Sequence, residues 1–184
     1  STMAISSPLG LELEEIDDWN CCGATEYIAI NRLAAYSLIA RNLALAEKQF
    51  GKLTEADKIL FTAVADGNWA DYTEGTDKDK PEDANSWGEK RTINANRIEW
   101  LCHDKQVKEF VTDKGIQVIG AKIVGTLDLS YAEIPFPLSF WECDFTKEIY
   151  LYSSTMKYLA FKGSRTGSIM ADGIEVEVGV FFKD

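Results

Sequence analysis

Residues 121–173 read AKIVGTLDLSY, AEIPFPLSFWE, CDFTKEIYLYS, STMKYLAFKG and SRTGSIMADG, and these five units of ten or eleven residues decide the fold. Each of the first four units begins with a small residue, has an apolar residue two positions later, and then carries two apolar residues that are separated by one residue. Alternation with a period of two inside a longer fixed period is typical of a β-solenoid, in which stacked coils share one core. The small positions are Ala121, Ala132, Cys143, Ser154 and Ser164.

This pattern predicts which side chains face the core. We expect these residues to be buried together: Ile123, Leu127, Ile134, Leu138, Phe145, Ile149 and Leu151. The offset of eleven further predicts that Leu127, Leu138 and Ile149 stand at equivalent corners. An ordinary β-sandwich would also alternate, but its hairpins are usually marked by Asn-Gly or Asp-Gly, and neither dipeptide occurs between these units.

The part of the chain before the repeat has helical patterns, so the predicted fold class is α+β, with a helical N-terminal part capping a C-terminal β-solenoid. The predicted domains are residues 1–50 (a strand, a loop and a long helix), 51–113 (a helical cap) and 114–184 (the solenoid). Within the cap, the polar segment 67–91 predicts a mobile, partly ordered acidic loop.

Individual residues predict where the helices of the cap begin and end. Thr54 with Asp57 three positions later is a helix N-cap pattern, and Gly67 ends that helix. Two short helices follow. In the first of them Cys102 is expected to be buried beside an exposed His103.

Charge and hydropathy argue against nucleic-acid binding and against a membrane-spanning segment. The net charge is −11, with 12 basic and 21 acidic residues before residue 114, and 7 basic and 9 acidic residues from residue 114 onward. Nonspecific nucleic-acid binding needs clustered Lys and Arg, so we expect no nucleic-acid partner. No apolar stretch approaches about 18 residues, so we expect no membrane span. Four cysteines at irregular spacing favour a reducing cytoplasm over a disulfide framework.

Residues 1–49 resemble a fragment of the B subunit of heterodisulfide reductase, with its cysteine-rich CCG domain. The matching stretches are STMAI, LGLELEEI, DWNCCGATEY and RLAAYSLIARNLALAE. The resemblance implies that Cys21 and Cys22 are ligands of a [4Fe–4S] cluster in a disulfide-reducing enzyme. The family pattern also has an upstream cysteine and a later CxxC, which this chain lacks. Because such clusters need several thiolates, we expect no cofactor here. A vicinal disulfide or redox pair at Cys21 and Cys22 is an alternative.

Residues 52–184 resemble a bacterial family of pentapeptide-like β-solenoid proteins, sometimes labelled membrane-associated oxidoreductases. The matching stretches are LTEADKILFTAVADG, IEWLC, KGIQVIGAKIVGTLDLS and IPFPLSFWECDF. The resemblance supports the solenoid and implies no catalytic residues. It also implies that the repeats of such proteins continue further, so that the chain is expected to be truncated at Asp184.

The residues offer little catalytic chemistry. Cys102, His103 and Asp104 have the types of a nucleophile, base and acid, but neighbours on a helix project about 100° apart and cannot form a triad. His103 is the single histidine, which excludes multi-histidine metal sites. The acidic run Asp77 to Asp83 lacks the central glycine and terminal glutamate of an EF-hand.

The predicted function is therefore a noncatalytic scaffold or protein-interaction domain, and the alternative is a fragment of a heterodisulfide-reductase-type iron–sulfur oxidoreductase. DNA mimicry by an acidic solenoid is a third hypothesis, which the low charge of the repeat disfavours. A predicted last strand, Glu175 to Phe182, would leave an unpaired edge. We expect its residues 176–182 to pair with a partner protein, with a second copy, or with the segment Leu9–Ile16. Glu175 and Glu177 are expected on its solvated face.

Overall fold

The computed structural model describes residues 32–183, with side chains described at positions 40, 41 and 43–182. The predicted strand Leu9–Ile16 and the pair Cys21 and Cys22 lie outside the described residues. The described helices are α1 (Arg32–Phe50), α2 (Glu55–Asp66), α3 (Ala95–His103) and α4 (Lys105–Lys108), with 3-10 helices at Pro81–Ser86 and Glu89–Arg91.

Helix α2 begins and ends where the sequence predicts. The Thr54 hydroxyl accepts a hydrogen bond from the Asp57 N–H, and the Asp57 carboxylate accepts one from the Thr54 N–H, which is a capping box. Gly67 ends the helix in the left-handed conformation, with φ of 65°. The predicted N-cap and C-cap are therefore confirmed.

Twelve strands are described after α2. They are β1 (Ala70–Asp71), β2 (Thr92–Asn94), β3 (Ile116–Ile119), β4 (Lys122–Val124), β5 (Leu127–Asp128), β6 (Glu133–Trp141), β7 (Asp144–Phe145), β8 (Ile149–Tyr150), β9 (Thr155–Lys162), β10 (Ile169–Met170), β11 (Glu175–Val176) and β12 (Val180–Lys183). They form three parallel sheets in the orders β1-β3-β6-β9-β11, with β12 also on β9, then β2-β4-β7, and β5-β8-β10. Purely parallel stacking confirms the β-solenoid and excludes a hairpin-built sandwich for the described strands.

One coil contains 20 to 22 residues, which is twice the repeat seen in the sequence. Ile123 pairs in register with Phe145, Leu138 with Leu159, and Ile149 with Ile169. The expectation that Leu127, Leu138 and Ile149 share equivalent corners is therefore wrong. Leu127 stacks on Ile149 in one sheet, whereas Leu138 stacks on Ile116 in another. A unit of eleven residues passes only half way round the coil.

The repeat of eleven residues, which is half a coil, arises from the backbone conformation at the corners. Successive left-handed residues are Gly120, Tyr131, Glu142, Ser153, Gly163 and Gly173, with φ between 48° and 73°. The residue after each of the first four is one of the predicted small positions and is fully or almost fully buried. A left-handed residue followed by a small buried one turns the chain through a tight corner, and this corner recurs twice in each coil.

The predicted core residues are all buried. The seven side chains named from the repeat are at most 4% exposed and belong to one continuous core. That core also includes residues of α2 and α3, so the helices and the solenoid pack as a unit.

The solenoid sheets also include two strands that precede residue 114. β1 pairs with β3, and β2 pairs with β4. Between them, the acidic segment is held by Arg91, whose guanidinium bonds the Gly120 carbonyl and lies 2.6 Å from an Asp79 carboxylate oxygen. The Arg91 guanidinium also stacks 3.9 Å from the centre of the Trp87 ring. The domain boundaries and the mobility of the segment stay predictions.

Candidate functional site

The candidate site is the end of the solenoid formed by β11 and β12. The sequence predicts one strand from Glu175 to Phe182, but the structure has two short strands separated by residues 177–179, of which Gly179 has a φ of 153°. Both strands pair in parallel with β9. Among the described strands, β9 is the single partner of β12, so the other edge of β12 offers its backbone N–H and C=O groups for pairing.

Two ladders of core side chains run through the long sheet to this end. The first consists of Ile116, Leu138, Leu159 and Val180, which follow one another in register. The first three are at most 1% exposed, whereas Val180 is 39% exposed. Val180 therefore occupies a core position that none of the described residues covers.

In the second ladder the change from buried to exposed side chains is larger. It consists of Val118, Phe140, Phe161 and Phe182. Phe140 and Phe161 are at most 3% exposed, but Phe182 is 63% exposed. The ring of Phe182 stacks on that of Phe161 at a centroid distance of 5.6 Å, the same spacing as between Phe161 and Phe140. Phe182 thus continues the interior stack while its far face meets solvent.

The outward side of the same end combines charge with one aromatic ring. Phe181, which is 51% exposed, packs on Tyr158 at 5.3 Å. Lys162 and Lys183 are neighbours in the backbone register of β9 and β12. Glu175 and Glu177 are exposed, which confirms their predicted solvated face. We call this surface the end face; it consists of Val178, Val180, Phe181 and Phe182 together with the open edge of β12.

Exposed apolar residues are few elsewhere in the described part of the chain. Besides the end face, the large exposed apolar side chains there are Ile59 and Tyr131, which lie on α2 and at a solenoid corner. An exposed cluster of four neighbouring apolar residues is a feature that marks interaction sites. Val180 and Phe182 lie an even number of positions from Val176, so the alternation that places Glu175 and Glu177 outward also places these two residues on the opposite, inward face.

The Cys102-His103-Asp104 run is not a catalytic triad. Cys102 is fully buried, and burial raises the pKa of its thiol above the ordinary value, so the nucleophilic thiolate is disfavoured. His103 is exposed, and its Nε2 lies 3.2 Å from the Asp128 carbonyl oxygen. The Asp104 carboxylate accepts hydrogen bonds from the Gln106 and Val107 N–H groups and caps α4. The predicted burial of Cys102 beside an exposed His103 is confirmed.

Cys143 is a core residue of the solenoid. Its thiol donates to the Trp141 carbonyl at 3.2 Å, and burial raises its pKa to about 12. Residues 32–183 contain no group of three or more His, Cys, Asp or Glu that could hold a metal ion. Cys102 and Cys143 are therefore unsuited as thiolate ligands, and the described part of the chain does not fit the donor set of an iron–sulfur cluster.

The fold and the end face define an α+β protein with a C-terminal β-solenoid whose last described coil is open. No family model matches the chain, and no solved structure matches it. The chain is similar to the 8-methylmenaquinol:fumarate reductase membrane anchor subunit of Wolinella succinogenes, with 48% identity over 48 residues. The match covers 26% of this chain and 17% of that subunit. The resemblances to the heterodisulfide reductase B subunit and to the pentapeptide-like family stay predictions.

None of the helices in the described residues is long and apolar enough to cross a membrane.

Proposed function

We propose that this protein is a noncatalytic scaffold or protein-interaction domain that binds a β-strand of its partner at the end face. The observation that supports the proposal is the exposure of Val180 and Phe182, which stand in ladders whose other members are buried. A strand added to the edge of β12 gains backbone hydrogen bonds, and its alternate side chains cover the two ladders. This mode of binding is β-strand addition, in which the backbone gives affinity and the side-chain pockets give specificity.

Self-association is the form of this function that can be measured without knowing another partner. We expect the mass of the full chain in sedimentation velocity to rise with concentration. Phe182→Asp should shift it to the mass of one chain, because a carboxylate on the end face would be desolvated by an incoming strand. Ile59→Asp is the matched control, since Ile59 is an exposed apolar residue outside the end face, and it should leave the mass unchanged. A chain that stays monomeric at high concentration would show that the end face does not bind a second copy.

A second candidate function is a fragment of a heterodisulfide-reductase-type iron–sulfur oxidoreductase. It is favoured by the similarity to a subunit named for a fumarate reductase and by the adjacent Cys21 and Cys22. In this case the two cysteines would be ligands of a [4Fe–4S] cluster, whose remaining ligands would come from a partner.

An anaerobic assay of iron and acid-labile sulfide separates the two functions. For the scaffold, we expect colourless protein without stoichiometric iron. Replacing Cys21 and Cys22 with Ser should then change the free energy of unfolding little, because no cluster is lost. Stoichiometric iron that is lost in the double variant would establish the oxidoreductase candidate instead.

A further inference from the structure

A cleft of about 440 Å³ lies between the solvent-facing side of α2 and the segment that leads into β1. On the helix side, Glu55, Ile59, Thr62 and Asp66 line it, and their spacing is that of one helix face. Ile59 is 38% exposed there, which makes it one of the few large apolar side chains open to solvent in the described part of the chain. We call this surface the Trp69 cleft, after the aromatic residue on its other wall.

The other wall follows from the alternation of β1. Ala70 and Tyr72 are buried, so Trp69 and Asp71, which precede them by one position, lie on the outer side of the sheet. The half-buried Trp69 ring packs against the Trp141 ring at a centroid distance of 4.5 Å. This contact holds Trp69 in place while part of its surface lines the cleft.

The Trp69 cleft has an excess of negative charge. Lys58 is the one basic residue that lines it, and its Nζ donates a hydrogen bond of 2.9 Å to the Glu55 carboxylate. The carboxylates of Asp66 and Asp71 form no ion pair with any of the described residues. Asp71 accepts hydrogen bonds from the N–H and the hydroxyl of Thr73, which carry no charge. A positively charged occupant would therefore complement the cleft.

Two other tryptophan rings of this molecule already carry a cation. The Lys162 Nζ lies 4.3 Å from the centre of the Trp141 ring, and the Arg91 guanidinium lies 3.9 Å from that of Trp87. Such cation–π contacts are strongest on tryptophan. No cation among the described residues lies over Trp69, although unpaired carboxylates line the same cleft. A cation from outside would gain both interactions.

We propose that the Trp69 cleft binds an arginine side chain from a positively charged segment of a partner protein. The alkyl stem of the arginine packs on Ile59 and its guanidinium stacks on Trp69, while Asp66 and Asp71 complement its charge. Arginine is favoured over lysine because its planar group both stacks on a ring and donates two N–H groups to one carboxylate. The surface is separate from the end face, so this binding goes beyond the proposed function.

Binding of a labelled peptide to the full chain, measured by fluorescence anisotropy, tests the proposal. The probe is a nonapeptide of three Ser-Ala-Arg units, compared with the same peptide carrying Lys or Gln in place of Arg. We expect the Arg peptide to bind, the Lys peptide to bind more weakly and the Gln peptide not to bind. Asp66→Asn and Ile59→Arg should each weaken binding of the Arg peptide about tenfold, because one removes a carboxylate and the other fills the cleft with the protein's own guanidinium.

Matched variants separate the cleft from general charge and from misfolding. Asp172→Asn makes the same change of charge at an exposed solenoid corner, and it should alter the affinity by less than about twofold because a distant exposed charge is screened by salt. Trp69→Phe keeps an aromatic ring and should retain binding, whereas Trp69→Leu should lose most of it. Thermal denaturation checks that each variant is folded, and Ile59→Arg changes a residue that is already exposed.

Three results would overturn the proposal. They are no binding of the Arg peptide, equal binding of the Arg and Gln peptides, and equal weakening by Asp66→Asn and Asp172→Asn, which would show general attraction to an acidic protein. Phe182→Asp should leave peptide binding unchanged, and Asp66→Asn should leave the mass in sedimentation velocity unchanged. The failure of this proposal and the failure of the proposed function are therefore seen in different measurements.

Discussion

The two ends of the solenoid differ in how their last strands are covered. At the beginning, helix α3 lies along the edge of β5, where the Glu99 carboxylate accepts a hydrogen bond of 2.7 Å from the Asp128 N–H. His103 contacts the Asp128 carbonyl oxygen on the same edge. At the other end, the edge of β12 is open and Phe182 is 63% exposed. Among the described strands, the covered edge is therefore that of β5, and the exposed apolar edge is that of β12.

The largest expected effect contrasts two members of one ladder. Leu138→Asp buries an unpaired charge in the middle of the ladder and should lower the free energy of unfolding by about 4 kcal/mol or more. Val180→Asp at the open end should cost about 1 kcal/mol, because its charge stays hydrated. Urea denaturation at low protein concentration measures both. Equal costs would show that the open end is covered within a single chain.

A smaller effect concerns the polar contacts at the covered end. Asp79→Asn removes the partner of the buried Arg91 and should cost about 2 kcal/mol at neutral pH. The matched control is Asp77→Asn, which changes an exposed carboxylate of the same segment and should be close to neutral. If both variants are equally stable, the ion pair does not hold the segment on the solenoid.

The same ion pair predicts a pH dependence. Burial acts to raise the pKa of Asp79, but the Glu74 and Thr76 N–H groups and the Arg91 guanidinium together lower it below its ordinary value. The contribution of Asp79 is therefore complete above the ordinary aspartate pKa of about 3.9, and it is lost as the pH falls through the lower folded value. The stability difference between wild type and Asp79→Asn should shrink below about pH 4. A difference that is constant from pH 7 to pH 3 would contradict this assignment.

The smallest effect tests the helical cover of β5. Glu99→Ala leaves the Asp128 N–H to water and should lower the free energy of unfolding by about 1 kcal/mol. Glu109→Ala, at an exposed position after α4, is the control. Because the cover of β5 lies far from β12, Glu99→Ala should leave the mass in sedimentation velocity unchanged. A change in mass would show that both ends take part in association.

The solenoid could be predicted from sequence because its core alternation and its small corner residues are strictly local signals. The length of one coil could not, since the half-coil repeats the same local pattern and does not reveal which sheet it enters. The corners at Tyr131, Glu142 and Ser153 have positive φ without glycine, so they lack the usual turn signal. Strands β1 and β2 have two and three residues and are separated by a long polar segment, which hides them from any test of periodicity.

The candidate site was only partly predictable. The exposed final strand and the solvated Glu175 and Glu177 follow from alternation, and both agree with the structure. The inward direction of Val180 and Phe182 follows from the same alternation, but no local pattern contains their register with β9 and therefore the two ladders that they extend. The contacts of Arg91 could not be predicted from local sequence either, because its partners Asp79 and Gly120 are 12 and 29 positions away.

The coil of 20 to 22 residues also sets the units in which this molecule can change length. Duplication of a whole coil, such as residues 133–154, would return every side chain to its own sheet and lengthen the solenoid by one strand spacing, about 4.8 Å. Duplication of a single unit of eleven would bring each following strand into a different sheet. Insertions and deletions in such a protein are therefore tolerated in pairs of units, and the end face is carried outward unchanged with each added coil.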